Sequence, residues 1–178
     1  MAGMRAFLGR LAAAGAALFA AGCDDGTVIT RVDRMPAFSR SQIISMAAGG
    51  VPTEIHGRPF DGVTPDEIAG RLKMPPGFTE GVTFRAVAPG PRGIDPHRRL
   101  VLVFNPAEGP NGLRDCRRTE EAPTNPPREV GFSVTATFCT EDRLLATGHM
   151  EARKTRADDP EGFTRVMRLL FMQMMDQI

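Results

Sequence analysis

The three histidines are the first residues to examine for chemistry, because histidine serves both as a general base and as a metal ligand. They are His56, His97 and His149, and no two lie close enough in sequence to form a local metal pair. His149 is a candidate base on a hairpin, although an isolated strand histidine is more often a surface residue. G-x-S-x-G, P-loop, C-x-x-C and dinucleotide-binding motifs are absent. The sequence therefore predicts no catalytic residue, no metal site and no cofactor.

A second set of candidate residues is basic. Guanidinium groups bind phosphate and carboxylate groups, so this set is a candidate for contact with lipid headgroups or another anion. Glu120 and Glu121 adjoin it, and a mixed charged surface is the simpler interpretation. The set comprises Arg92, His97, Arg98, Arg99, Arg114, Arg117 and Arg118.

The N-terminal segment has the three parts of a secretory signal. Arg5 and Arg10 precede an uninterrupted apolar run, Leu11–Ala21, which is followed by Gly22 and Cys23. Eleven helical residues span about 16 Å, roughly half of a hydrocarbon core of about 30 Å. The run is thus too short for a permanent membrane span and indicates export.

Residues 20–23, Ala-Ala-Gly-Cys, resemble the lipobox of bacterial lipoproteins, with Ala20 where leucine is usual. The resemblance covers residues 1–23 only. It implies that residues 1–22 are a signal peptide, that Cys23 carries a diacylglycerol, and that this lipid anchors the chain to a membrane of the cell envelope, facing the periplasm. By the same resemblance, Asp24 slightly favours the inner membrane. The alternative is an ordinary cleaved signal that leaves a free cysteine near the new terminus.

The composition of the remaining chain excludes some partners. Removal of residues 1–22, which contain two arginines and no acidic residue, changes the formal charge from +1 to −1. A nearly neutral protein gives no electrostatic reason to expect nucleic acid as a partner. The chain also contains no Trp and no Tyr, the aromatic platforms on which sugars and single strands often stack.

Two cysteines remain after Cys23. An even pair in an oxidising compartment predicts one disulfide, between Cys116 and Cys139. The alternative, a metal site with two cysteine ligands, lacks histidines at ligand spacing. The bridge would tie the long irregular stretch 105–129 to the end of a predicted hairpin.

Two short helices are predicted from capping sequences. Ser39 with Gln42, and Thr64 with Glu67, have the spacing in which two side chains satisfy backbone N–H groups at a helix start. The first helix should end at Gly49. The second should run to about residue 73, before the Pro-Pro-Gly sequence that follows.

Hydrophobic periodicity predicts several strands. The third of them is continuously apolar, which indicates a central strand covered on both faces. The last two should form a hairpin across the polar turn at 140–143. The predicted strands are Thr53–His56, Val82–Ala88, Leu100–Phe104, Val130–Phe138 and Leu144–Ala152.

The last predicted element is a helix from about Pro160 to Gln177. Three of its apolar residues, Leu169, Met172 and Met175, lie off the main stripe. Either the core covers both sides of this helix, or these three residues form a second face for a protein partner or another copy of the chain. The main stripe holds Phe163, Val166, Met167, Leu170, Phe171, Met174 and Ile178.

The order of elements predicts an α+β fold with a mainly antiparallel sheet and helices packed on one face. We expect a lipidated N-terminus and tether over residues 23–37 and a single domain over 38–178. The sequence favours a lipid-anchored envelope protein with a binding, accessory or assembly role, and it does not favour an enzyme. The alternatives are a small envelope hydrolase whose site is assembled from distant residues, and a purely structural lipoprotein.

Overall fold

The computed structural model describes residues 26–36, 38–47, 49–78, 81–90 and 98–175. These residues form six strands and four helices. In chain order they are β1 (Thr27–Arg34), α1 (Arg40–Ala47), β2 (Val51–His56), α2 (Pro65–Arg71), β3 (Phe84–Val87), β4 (Arg98–Phe104), α3 (Gly112–Arg117), β5 (Val130–Thr140), β6 (Arg143–Arg156) and α4 (Pro160–Met175). The α+β class is confirmed.

The six strands form one mixed sheet in the order β1-β6-β5-β4-β2-β3. β1, β6, β5 and β4 pair antiparallel, whereas β2 runs parallel to both β4 and β3. The prediction of a mainly antiparallel sheet is therefore wrong. The reason lies in the order β2, α2, β3, because a helical connection lets two consecutive strands run in the same direction.

Part of the predicted tether, residues 23–37, belongs to the sheet. Residues 27–34 form the edge strand β1, which pairs with β6 from Thr27 opposite Ala152 to Arg34 opposite Ala146. The strand is irregular, with a register shift between Ile29 and Arg31. The domain consequently includes residues 27–34, which the sequence assigned to the tether.

One face of the sheet carries the main hydrophobic core. α1, α2 and α4 pack on it, and the α4 stripe is fully buried over the described residues Phe163 to Met174. Phenylalanines link the helices to the strands: Phe38 stacks on Phe138, and Phe171 contacts both Phe84 and Phe138. Burial of these side chains is the main favourable term for this face.

The opposite face is covered in part by α3, which contacts β4, β5 and β6. The prediction of helices on one face only is therefore wrong. A small apolar cluster lies beneath α3, formed by Val101, Val103, Cys116, Ala122 and Cys139. Because Val101 and Val103 are buried here while Leu100 and Leu102 are buried in the main core, β4 is covered on both faces, as predicted.

The predicted helix starts are confirmed by their hydrogen bonds. Thr64 and Glu67 form the complete reciprocal capping box of α2. At α1, the Gln42 side chain accepts from the Ser39 backbone N–H at 3.1 Å. The Asp159 carboxylate accepts from the Gly162 N–H at 2.7 Å and begins α4. α2 ends at Arg71, two residues before the predicted end.

Candidate functional site

α3 lies within the stretch that the sequence indicates only as a long loop. Its start is capped by Asn111, whose side-chain oxygen accepts from the Arg114 N–H at 3.1 Å. Gly112 permits its close approach to the sheet, since a Cβ atom there would lie 2.7 Å from the Cβ atom of Thr147. A helix of six residues has little stability of its own, so other interactions must hold α3 in place.

The predicted disulfide is one of these interactions. Cys116 of α3 is bonded to Cys139 of β5, with the two Cα atoms 5.5 Å apart. Both residues are fully buried. In the chain-entropy model, closing a loop of this size stabilises the folded state by about 3 kcal/mol. The bridge therefore fixes the C-terminal end of α3 on the sheet.

A buried arginine is the second interaction. Arg99 of β4 donates from Nε to the Glu54 carboxylate of β2 at 2.9 Å. Its two terminal nitrogens donate to the backbone carbonyls of Cys116, at 2.7 Å, and Glu141, at 2.9 Å. One guanidinium thus links two strands, α3 and the β5–β6 turn. The charge is compensated by Glu54, which is only 1 % exposed.

His56 belongs to the same buried network. Its Nε2 lies 3.1 Å from Glu54 Oε1, and its Nδ1 accepts from the Ala122 N–H at 3.1 Å. These contacts assign the proton of the ring to Nε2, which donates to Glu54. Glu121 also approaches Nδ1, at 3.4 Å. The ring is fully buried and its lone pair is occupied, so His56 holds the loop in position and has no free nitrogen for base catalysis.

The outer side of α3 forms a groove of about 480 Å³. Three guanidinium groups and one carboxylate line it. Arg114 donates to the Glu108 carboxylate at 2.9 Å and to the Gly109 carbonyl at 2.7 Å, while Arg118 lies 3.6 Å from Glu108. The lining residues are Glu108, Asn111, Leu113, Arg114, Arg117 and Arg118.

Asp115 lies on the buried side of α3, beneath the arginines, and is only 3 % exposed. Burial raises the pKa of its carboxyl from 3.8 to about 6, although the charges of Arg114 and Arg118 act in the opposite direction. Protonation of Asp115 below this pH removes a negative charge next to the groove. The groove therefore becomes more positive as the pH falls through about 6.

The other histidine in the described residues lies on the same face of the sheet, across β5 and β6. His149 Nδ1 is 3.0 Å from the Thr135 hydroxyl, and Thr135 is buried. Burial lowers the pKa of His149, while the Glu151 charge acts in the opposite direction. The Thr135 hydroxyl is therefore not exposed to a substrate.

The predicted basic set is divided by the fold. Arg99 is buried in its ion pair, and Arg98 donates to the Ser45 hydroxyl at the far end of the sheet. Arg114, Arg117 and Arg118 are the members that lie together, in the α3 groove. Arg92 and His97 lie outside the described residues, and so does Cys23.

The predicted partner face of α4 is also divided. Met175 is 4 % exposed and belongs to the main core, so it cannot form part of an exposed face. Met172 is 43 % exposed, and Leu169 is half-buried beside a shallow groove that α4 forms with β1. β1, which the sequence did not predict, lies beside Leu169 and Gln173 on this side of α4.

Comparisons with known proteins give no further guidance, since no family model, curated protein or solved structure matches the chain. Within the described ranges, no group of three His, Cys, Asp or Glu residues is arranged to hold a metal ion. No helix in this part of the chain is both long and apolar enough to cross a membrane.

Proposed function

We propose that this chain is a lipid-anchored protein of the cell envelope that acts by binding an anionic group in the α3 groove. The observation that carries the proposal is the groove itself, in which Arg114, Arg117 and Arg118 face a single carboxylate, Glu108. The Ala-Ala-Gly-Cys sequence at residues 20–23 supports the anchor. A disulfide supports an oxidising compartment, where such bonds persist.

The chemistry of the lining favours an anion over other ligands. Guanidinium groups form paired, charge-assisted hydrogen bonds with carboxylate and phosphate groups. Glu108 already accepts one such hydrogen bond from Arg114, so an incoming anion would replace it or share the remaining donors. Leu113, which is 41 % exposed in the same lining, offers an apolar contact to whatever group carries the anion.

The bonds that hold α3 on the sheet keep the groove in one geometry before a ligand binds. The disulfide and the Arg99–Cys116 hydrogen bond hold the helix that carries the three arginines. A site that is already ordered loses less conformational entropy on binding. The two described histidines do not favour a hydrolase, since His56 is buried with both nitrogens occupied and His149 faces a buried threonine hydroxyl.

The test is a titration of the mature, lipidated protein with anions in detergent, monitored by NMR of the arginine side chains. Sulfate stands for a phosphate-type ligand and acetate for a carboxylate. Arg117→Gln should weaken binding about tenfold, because one charge-assisted hydrogen bond contributes about 1.5 kcal/mol. Glu108→Gln should strengthen it, since the competing carboxylate is removed.

Arg153→Gln is the matched control, because Arg153 also pairs with one glutamate on the surface, Glu151, but lies on β6 away from the groove. Its affinity for both anions should equal that of the wild type. Equal affinities in all four proteins would contradict the proposed site.

A further inference from the structure

The start of β1 limits how far the folded part of the chain can lie from the proposed lipid. Thr27 begins the strand and is the fourth residue after Cys23. Four residues reach at most about 14 Å when fully extended. A domain that began at residue 38 would have a long tether and no defined orientation, whereas this one is attached directly at an edge strand.

The pairing of the strands shows what else lies at this end of the sheet. β6 lies between β1 and β5 and is antiparallel to both. The start of β1, the end of β6 and the start of β5 therefore lie at the same end of the sheet. Thr27 is opposite Ala152, and Val130 is opposite Arg156. The far end holds α1, whose Ser45 accepts a hydrogen bond from Arg98 at the start of β4.

We propose that the end of the sheet formed by Thr27, Val130 and Arg153–Arg156 rests on the surface of the lipid bilayer, with α1 directed away from it. This inference rests on the lipid anchor of the proposed function. The occupant of this surface is the phospholipid headgroup layer of the membrane that holds the Cys23 lipid.

The side chains at this end are compatible with an interface of lipid headgroups. Val28 and Val130 are each 40 % exposed, a size and exposure suited to shallow apolar contact. Basic and acidic side chains are nearly balanced, and two of the basic ones pair with acidic neighbours, Arg153 with Glu151 and Arg156 with Asp158. The contact is therefore set by the short covalent link and not by net charge, and it should persist at high salt.

The orientation also decides where the α3 groove meets its ligand. Gly112 of α3 contacts Thr147, which lies five residues from Ala152 along β6, or about 17 Å up the sheet. This separation exceeds the Debye length of about 8 Å at physiological ionic strength. The proposed orientation thus places the start of α3 beyond the reach of the headgroup charges, and we expect the anion of the groove to come from the aqueous side.

The absence of tryptophan makes a direct experiment possible, because one introduced tryptophan is the only one in the protein. The lipidated full-length protein is reconstituted into phosphatidylcholine vesicles whose acyl chains are brominated near the headgroup, which quenches nearby tryptophan. Val130→Trp and Val28→Trp should lose emission in these vesicles. Ile44→Trp on α1, a position with a similar exposure of 44 %, should keep it.

A flexible Gly-Ser insertion after Asp25 is the matched control for the short link. It should restore the emission of Val130→Trp while the protein still floats with the vesicles. Two reporters on different strands guard against one variant that fails to fold, and thermal melting checks both.

Flotation separates failure of the anchor from failure of the orientation. A protein that does not float with vesicles has no lipid anchor, which overturns the anchor and the orientation together. A protein that floats but shows equal emission from the reporters at Val130, Val28 and Ile44 overturns the orientation alone. Equal quenching with and without the insertion would overturn it as well.

Discussion

The two faces of the sheet are held by different kinds of interaction. On one face, α1, α2 and α4 cover the strands with a continuous apolar core that contains most of the buried phenylalanines. On the other, α3 lies over a cluster of only a few apolar residues and is held by the Cys116–Cys139 bond and by Arg99. Hydrophobic area stabilises the first face, and a few specific bonds position the second.

The difference has a functional meaning. A substitution in the close-packed apolar core lowers the stability of the whole domain, while a substitution among the few bonds beneath α3 also changes the position of that helix. The candidate anion groove lies on this second face, where the orientation of the arginines depends on the disulfide and the buried ion pair. The following variants test this contrast.

The largest effect is expected on the apolar face. Phe171→Ala should lower the free energy of unfolding by about 4 kcal/mol, because it leaves a cavity between Phe84 and Phe138. Urea unfolding measures the loss, and anion binding to the remaining folded protein should be unchanged. Met172→Glu is the control at the next position, where an exposed side chain should alter stability by no more than about 0.5 kcal/mol.

The same control tests the partner face of α4. If a second copy of the chain covers Met172, the substitution should reduce the molecular mass measured by light scattering without changing the melting temperature. A large fall in stability for Met172→Glu would show instead that this position is buried.

The next effect is expected at the buried ion pair. Arg99→Met should lower stability by about 3 kcal/mol, because the Glu54 carboxylate then loses the guanidinium that compensates its charge in the interior. The double variant with Glu54→Gln should recover part of this loss, since the buried charge is removed. Both variants should weaken anion binding, because Arg99 no longer holds the Cys116 carbonyl of α3. Unchanged binding would mean that the disulfide alone positions the helix.

The disulfide is expected to contribute slightly less. Replacing both Cys116 and Cys139 by alanine should lower stability by about 2–3 kcal/mol, chiefly because the unfolded chain gains freedom. Hydrogen exchange should increase in α3 and not in α4. Equal increases in the two helices would contradict the idea that the two faces are held independently.

The smallest effect is expected from the protonation of Asp115. Because its folded pKa is raised from 3.8 to about 6, its contribution to stability is fully present below pH 3.8 and is lost as the pH rises through 6. Asp115→Asn should therefore be more stable than the wild type at pH 7, with the difference vanishing near pH 4. Urea unfolding across this range measures it.

Binding of sulfate gives an independent measurement of the same proton. In the wild type the affinity should rise as the pH falls through 6, and in Asp115→Asn this dependence should be lost. Asp158→Asn, the same charge change on an exposed turn, should retain the wild-type profile. A profile common to all three proteins would assign the titration to another group.

Local sequence patterns predicted the three helices that pack on the apolar face and most strands of the sheet. The capping residues Thr64 and Glu67 and the stripe of α4 predicted their elements because each depends on near neighbours in sequence. β1 was missed because an edge strand is paired on one side only, and half of its side chains are exposed while none is fully buried, so its apolar pattern is weak. α3 was missed because six residues, three of them charged, are too few to show a helical periodicity.

By itself, the sequence determined the α+β class, the likeness of residues 1–23 to a lipoprotein signal and the pairing of Cys116 with Cys139. These conclusions depend on local pattern, composition and an even cysteine count. Only the tertiary structure decided that β2 runs parallel to β4, that Arg99 is buried against Glu54, and that Arg114, Arg117 and Arg118 share one groove. Each of these requires contacts between residues far apart in the chain, and local side-chain periodicity carries no information about which distant segments will meet.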